Sequence, residues 1–254
     1  MVKPSTKIKR FLAPLTFTFL QLAGNLLVIF EIQQHHQFLG QYTKEMILST
    51  IFPICIEWIC FVQVFFFDSG TLENSLRLSP DVGGLTPDEE AHLEKCRKCY
   101  LPMPPRCHHC NRCEECYVRH SFHLGIFGIC IAIKNLQPFI VLIKWCEINM
   151  IINTIISFII LCLNTCPTIF SLFITIIYFV LIFLFLAFWI DQMGYVKTNL
   201  SWSEKKAGVP KQAYNLGKES NIAQVFGYGV LRYYIPMRSS MHGFEWLPAP
   251  EEDQ

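Results

Sequence analysis

From Thr168 to Ile190 the chain carries no charged side chain. At about 1.5 Å of rise per residue, that run is long enough to cross a hydrocarbon layer, which takes about 20 residues of helix. Three more apolar runs are comparable in length, roughly Phe11–Phe30, Met46–Phe67 and Pro138–Leu163. Buried helices of a soluble core account poorly for runs this free of charge. The expected fold class is therefore an all-α integral membrane protein with four transmembrane helices. Lys3, Lys7, Lys9 and Arg10 precede the first run, as they would a signal peptide. That run exceeds an h-region of about 7–15 residues and no small-x-small cleavage site follows it, so it reads as a retained span.

Basic residues set the expected orientation. They gather in the N-terminal segment, in the loop between the second and third runs (Arg77, Lys95, Arg97, Lys98, Arg106, Arg112, Arg119, Lys134) and in the tail. The loop between the first two runs has only Lys44, and the Asn164–Pro167 turn has none. Both termini and the central loop are thus expected in the cytosol. The organisation follows: residues 1–67, a cytosolic N-terminus with helices one and two; 68–93, a polar connector; 94–137, a Cys-rich domain; 138–190, helices three and four; 191–254, a cytosolic tail. The net charge of +1 averages over unequal faces and excludes little.

The central loop holds a ligand pattern repeated at an offset of fourteen residues. Cys96, Cys99, His109 and Cys116 read C-x2-C-x9-H-x6-C, and Cys110, Cys113, His123 and Cys130 read the same. Two matching Cys3His sets call for two structural Zn2+ ions. A reducing cytosol disfavours disulfides, so thiols clustered there are better read as ligands. The segment is too poor in apolar residues to bury a core, so the metals are expected to organise it; structural zinc supplies about 10–16 kcal/mol in small modules. His109 and Cys110 are neighbours assigned to different ions. Leu101 to Arg106 is proline-rich and suits an extended or hairpin turn, while Gly125-Ile126-Phe127-Gly128 is apolar enough to meet the bilayer interface.

Other features have plainer readings. Glu57, Lys144 and Glu147 lie within spans, where ionisable groups are costly; Lys144 and Glu147 are three apart and can pair on one helix face. The basic loop is interrupted by Glu114 and Glu115 and sits between spans, so its expected partner is membrane lipid and not nucleic acid.

Four spans with a cytosolic Cys-rich loop after the second resemble the DHHC protein S-acyltransferases (palmitoyltransferases). The ladder Cys96–Cys130 carries the resemblance, with Pro105-Arg106, His108-His109-Cys110, Asn135 and Phe139. Further along, Asn221 and Val225-Phe226-Gly227 resemble the family's C-terminal motif. Asp68-Ser69-Gly70 stands for its Asp-Pro-Gly, and Ser201-Trp202-Ser203-Glu204 for its Thr-Thr-x-Glu. The resemblance implies palmitoyl-CoA as ligand or substrate, cytosolic or membrane protein clients, and an endomembrane address, Golgi or endoplasmic reticulum.

It also implies an Asp-His-His-Cys loop whose second His binds zinc and whose Cys accepts the acyl group. Counted from Cys116, those positions hold Ser121, Phe122, His123 and Leu124. The metal ligand stays, while the orienting carboxylate, the base and the nucleophile are replaced. Leu124 has no lone pair with which to attack a thioester, and Phe122 cannot carry a proton. The expected function is therefore a binding or regulatory pseudoenzyme in protein S-palmitoylation. The alternatives are an active acyltransferase with a non-standard nucleophile, such as a displaced His120–Ser121 pair or Cys107, and a zinc-stabilised membrane adaptor.

Overall fold

The computed structural model describes residues 17, 22–34, 40–77, 85–163, 169–239 and 241. Half of the Phe11–Phe30 run lies outside them, as do the Asn164–Pro167 turn and the chain end Pro248–Gln254.

Among the described residues, three helices are long and apolar enough to cross a membrane, over Tyr42–Phe65, Leu136–Cys162 and Thr175–Thr198. They belong to α2 (Tyr42–Phe65), α5 (Leu136–Leu163) and α6 (Ile169–Thr198). The first of the four expected runs is seen only in part, as helix α1 (residues 22–34). Val28 and Ile32 of α1 are buried against Ile156 and Ile160 of α5. On α6, Phe173, Ile176, Phe179, Val180, Phe183 and Leu184 point outward and are exposed. An apolar outer face of that kind is stable in lipid and not in water.

Helix α6 runs eight residues past Ile190, where hydropathy alone would stop it. Charge ends the membrane run at Asp191 but does not break helical hydrogen bonding. The break comes at Asn199, in the left-handed region at φ +49°. Its N–H reaches Val196 O (3.0 Å) and the Leu200 N–H reaches Tyr195 O (3.1 Å). These two bonds form a Schellman cap, with Asn in the place where glycine is commonest.

Between α2 and α5 lie two short helices, α3 (Leu72–Leu76) and α4 (Pro87–His92). They lead into four strands: β1 (Cys107–Cys110), β2 (Glu115–Val118), β3 (Phe122–Leu124) and β4 (Ile129–Ile131). The all-α expectation is corrected here, because each H-x6-C spacing closes an antiparallel hairpin. In the first hairpin His109 pairs with Cys116, and in the second His123 pairs with Cys130. Residues seven apart meet directly across the ladder, which brings two ligands together.

The hairpins are anchored in the helical core. Ile129 and Ile131 of β4 are buried with Cys60 and Val64 of α2, Ile140 and Ile143 of α5, and Met193 and Val196 of α6. Asn135, fully buried, fixes the join. Its Nδ2 donates to Cys130 O (3.1 Å) and Ser69 Oγ (3.0 Å), and its Oδ1 accepts from the Ala132 N–H (2.8 Å). Gly70 (φ +101°) lies so close that a Cβ would stand 2.6 Å from Ile133 Cγ2, so only glycine fits. After α6 come α7 (Trp202–Lys206) and α8 (Lys218–Phe226). The amphipathic α8 buries Ile222, Val225 and Phe226 against the same core.

Candidate functional site

Each half of the ligand ladder begins with a tight C-x2-C turn. The Tyr100 N–H bonds to Cys96 O (2.8 Å), and fourteen residues on the Glu114 N–H bonds to Cys110 O (2.7 Å). Tyr100 and Glu114 both adopt left-handed backbone, at φ 60° and 61°. The sequence repeat is thus a repeat of conformation. His109 and Cys110 are consecutive on β1, and side chains alternate across a strand. That alternation sends the two neighbours to different clusters.

The structure brings together both ligand sets expected from spacing. Cys96, Cys99, His109 and Cys116 form one cluster, and Cys110, Cys113, His123 and Cys130 the other, with donor atoms within 4.8 Å of one another in each. In the first, His109 Nδ1 lies 3.7, 3.2 and 3.6 Å from the sulfurs of Cys96, Cys99 and Cys116. In the second, His123 Nδ1 lies 3.6, 3.3 and 3.6 Å from those of Cys110, Cys113 and Cys130. A tetrahedral ion with bonds of about 2.3 Å to sulfur and 2.0–2.1 Å to nitrogen has S···N edges of about 3.5 Å. The donor sets fit such an ion in both places.

Beside the clusters, Arg106 forms a buried ion pair that links the Cys-rich segment to α7. Arg106 Nε donates to Glu204 Oε1 (2.6 Å) and Nη2 to Oε2 (2.9 Å). The Arg106 guanidinium also lies over the Tyr214 ring, 4.2 Å from its centroid. Asn199 Oδ1 accepts from Arg106 Nη1 and from Arg119 Nη2, each at 3.1 Å. Glu204 further accepts from the Ser201 N–H (2.6 Å), completing a capping box on α7. Burial alone would raise the Glu204 carboxyl pKa, but the bonds and charge of Arg106 outweigh it and hold it below its ordinary value. Burial, and then the charge of Arg106, lowers the pKa of Arg119. Two buried cations thus share one carboxylate.

Ser121, Phe122 and Leu124 are the positions to which the resemblance assigns catalysis. Ser121 is buried, and its carbonyl accepts from the Ser203 N–H (3.1 Å) and Ser203 Oγ (2.6 Å). Phe122 packs edge-on against Phe139, with ring centroids 5.7 Å apart. Leu124 pairs with Ile129 and lines an apolar cavity of about 690 Å³ among the membrane helices. A second, polar cleft of about 730 Å³ opens on the other side, lined by His108, Arg112, His120, Ser203 and Lys206 among others. Phe188 borders both spaces.

The His120–Ser121 pair named among the alternatives shows no hydrogen bond between its side chains. His120 Nδ1 instead lies 2.7 Å from Ser203 Oγ, 83 positions away in the Ser201–Glu204 motif. His120 also stacks on His108 at 5.1 Å. Lys144 and Glu147 do meet, at 3.0 Å.

Paired Cys3His clusters suited to metal, docked on apolar helices beside a large apolar cavity, define a membrane module with two candidate metal sites. Residues 89–208 match the model of the DHHC palmitoyltransferase family. The chain is similar to probable protein S-acyltransferase 12 of Arabidopsis thaliana, 27% identical over 73% of this chain and 70% of that protein. It is also similar to palmitoyltransferase ZDHHC15 of Homo sapiens, 28% identical over 57% of this chain and 47% of that protein. Palmitoyltransferase PFA3 of Candida glabrata is 26% identical over 36% of this chain and 28% of that protein. The match thus spans less than two thirds of the length of the human and Candida relatives.

Proposed function

We propose that this protein is an acyltransfer-impaired member of the DHHC palmitoyltransferase family, a binding or regulatory pseudoenzyme in protein S-palmitoylation. One observation carries the reading: the residue after the ligand His123, where the family has its nucleophilic cysteine, is Leu124, and it lines the apolar cavity. Ser121 and Phe122 occupy the family's carboxylate and base positions, and Phe122 is held against Phe139 where no proton can be exchanged. All eight metal ligands remain around these three changes. Two Zn2+ ions bound by Cys96, Cys99, His109 and Cys116, and by Cys110, Cys113, His123 and Cys130, would hold the hairpins in register. The clients are cytosolic or membrane proteins, acyl-CoA is the small ligand, and the Cys-rich face lies in the cytosol of an endomembrane.

The test is self-acylation of the purified chain with a labelled palmitoyl-CoA analogue, read before and after hydroxylamine. The unmodified protein should carry no thioester label. Ser121→Asp with Phe122→His and Leu124→Cys should restore it. Strong thioester label on the unmodified chain, lost on Cys107→Ala, would overturn the reading. A second reading, transfer through a non-standard nucleophile, is favoured by the 2.7 Å contact of His120 Nδ1 with Ser203 Oγ in the polar cleft. It requires hydroxylamine-resistant label that Ser203→Ala removes.

A further inference from the structure

A third cavity, of about 350 Å³, lies between α5, α6, α8 and the 3-10 turn Val230–Tyr233. It shares no lining residue with the apolar cavity or the polar cleft. Trp189, Met193 and Ile222 form its apolar side, and Lys144, Lys197 and Lys218 stand on its polar side. Trp189 is at the end of the charge-free run, and Lys197 is eight residues on, about 12 Å along α6. The cavity therefore straddles the boundary between the apolar span and the polar ground beyond it. Its outer wall is held in place. Trp145 Nε1 donates to Tyr234 O (2.8 Å), Gln137 Nε2 to Ile235 O (2.8 Å), and the Met237 N–H to Gln137 Oε1 (2.7 Å). Leu231, Tyr234 and Ile235 on that wall are exposed, as side chains at a lipid interface are.

The charges around this cavity do not cancel. The Lys144 ammonium meets Glu147 Oε2 (3.0 Å) and lies over the Trp189 ring, 4.7 Å from its centroid. Glu219, the carboxylate of the lining, accepts from Arg232 Nη2 (3.2 Å). Each carboxylate thus has a cation of its own. Among the described residues Lys197 and Lys218 have no acidic partner, which leaves two uncompensated positive charges. Asn221 Nδ2 donates to Lys197 O (2.8 Å), and Lys218 is one turn before Asn221 on α8, so both lysines rise from one joint. Tyr233 Oη accepts from Arg232 Nη2 (3.0 Å), and its own hydrogen is left to donate. A phosphomonoester carries about −1.5 to −2 at neutral pH and three acceptor oxygens, whereas a phosphodiester carries a single charge. We propose that this cavity binds a phosphomonoester carried on a lipid headgroup, with Lys197 and Lys218 against the phosphate and Tyr233 donating to it. The place favours a lipid over a soluble phosphate, since the apolar side reaches into the span and the outer wall faces the bilayer. The inference does not depend on whether acyl transfer occurs.

The test is binding of a fluorescent short-chain phosphatidylinositol 4-phosphate to the full chain in neutral detergent micelles, with unlabelled competitors. Phosphatidylinositol 4-phosphate and phosphatidic acid, both phosphomonoesters, should displace the probe about tenfold better than phosphatidylinositol and phosphatidylserine. Lys197→Gln and Lys218→Gln should each weaken probe binding about five- to tenfold at an unchanged melting midpoint, and together should erase the preference. Lys197→Arg should retain it. Lys211 is exposed and outside the cavity, so Lys211→Gln should change nothing. Equal displacement by all four lipids, or a loss on Lys211→Gln as large as on Lys197→Gln, would overturn the inference in favour of diffuse surface charge. Soluble inositol 1,4-bisphosphate or coenzyme A displacing the probe as well as the phosphomonoester lipids do would overturn the lipid source.

Discussion

Replacing Glu204 by Gln removes the one carboxylate that faces Arg106 and Arg119 in the buried joint between the Cys-rich segment and α7. The pair is desolvated on both sides, with side-chain exposure of 0% for Arg106 and 10% for Glu204. Glutamine keeps one acceptor oxygen, so it loses one of the two Arg106 bonds and the whole opposing charge. Hydrogen bonds to charged groups contribute about 1.5–3 kcal/mol each, and breaking a buried pair on one side costs about 3–5 kcal/mol. At about 2–4 °C per kcal/mol for a domain of about 150–250 residues, the unfolding midpoint should fall by about 6–20 °C. Trp202, in the first turn of α7, gives an intrinsic fluorescence signal for the melt in detergent. Arg106→Met combined with Glu204→Leu should recover most of the loss, because a buried pair is worth little more than an apolar isostere. A midpoint for Glu204→Gln within 2 °C of the parent's would refute the argument that this pair holds the joint.

The same carboxyl predicts a pH dependence. Its pKa is depressed in the fold, so its contribution is fully present above the unfolded carboxylate value of about 4.3 and is lost as pH falls through the lower folded value; the melting difference between parent and Glu204→Gln should shrink below about pH 4. Metal analysis of the purified chain should return about two zinc ions per chain and about one for Cys113→Ser, with one or none in the parent contradicting the ligand sets. Gly70→Ala should destabilise by about 2–4 kcal/mol through the clash with Ile133 and the left-handed φ, whereas Gly208→Ala has open space and pays only for its φ of +81°. Asn135→Ala should cost about 2–4 kcal/mol in a denaturation midpoint, since it leaves the Ala132 N–H without the Asn135 Oδ1 acceptor and empties a fully buried site.

The parts of this fold that were legible in the sequence are those that obey a local period. Ligand spacing named both clusters residue by residue, and hydropathy marked the cores of α2, α5 and α6. The end of α6 was not legible, because it depends on the Asn199 cap and not on hydropathy. The hairpins were hidden for a related reason: H-x6-C records two ligands, and only the ladder shows that the seven-residue offset is a register. The least readable contacts join distant segments. Arg106 with Glu204, and His120 with Ser203, are 98 and 83 residues apart, and although Arg106 and the Ser201–Glu204 segment each stand in a motif, nothing in the sequence pairs them. The hydrogen bond between Asn25 and Asn153 is of this kind too, since they meet across two different helices.

Strand β3 is only three residues long, and the metal ligand is its middle one. A strand shows alternate residues to opposite sides, so His123 faces one way while Phe122 and Leu124 face the other. The metal-ligand side and the side packed on the helical core are therefore the two sides of a single ribbon. Substitution on one side leaves the other's geometry in place. Leu124 can therefore be exchanged, as in Leu124→Cys, without moving the ligand His123. The ribbon lets the residues on its core side vary while the geometry of the ligand side is kept.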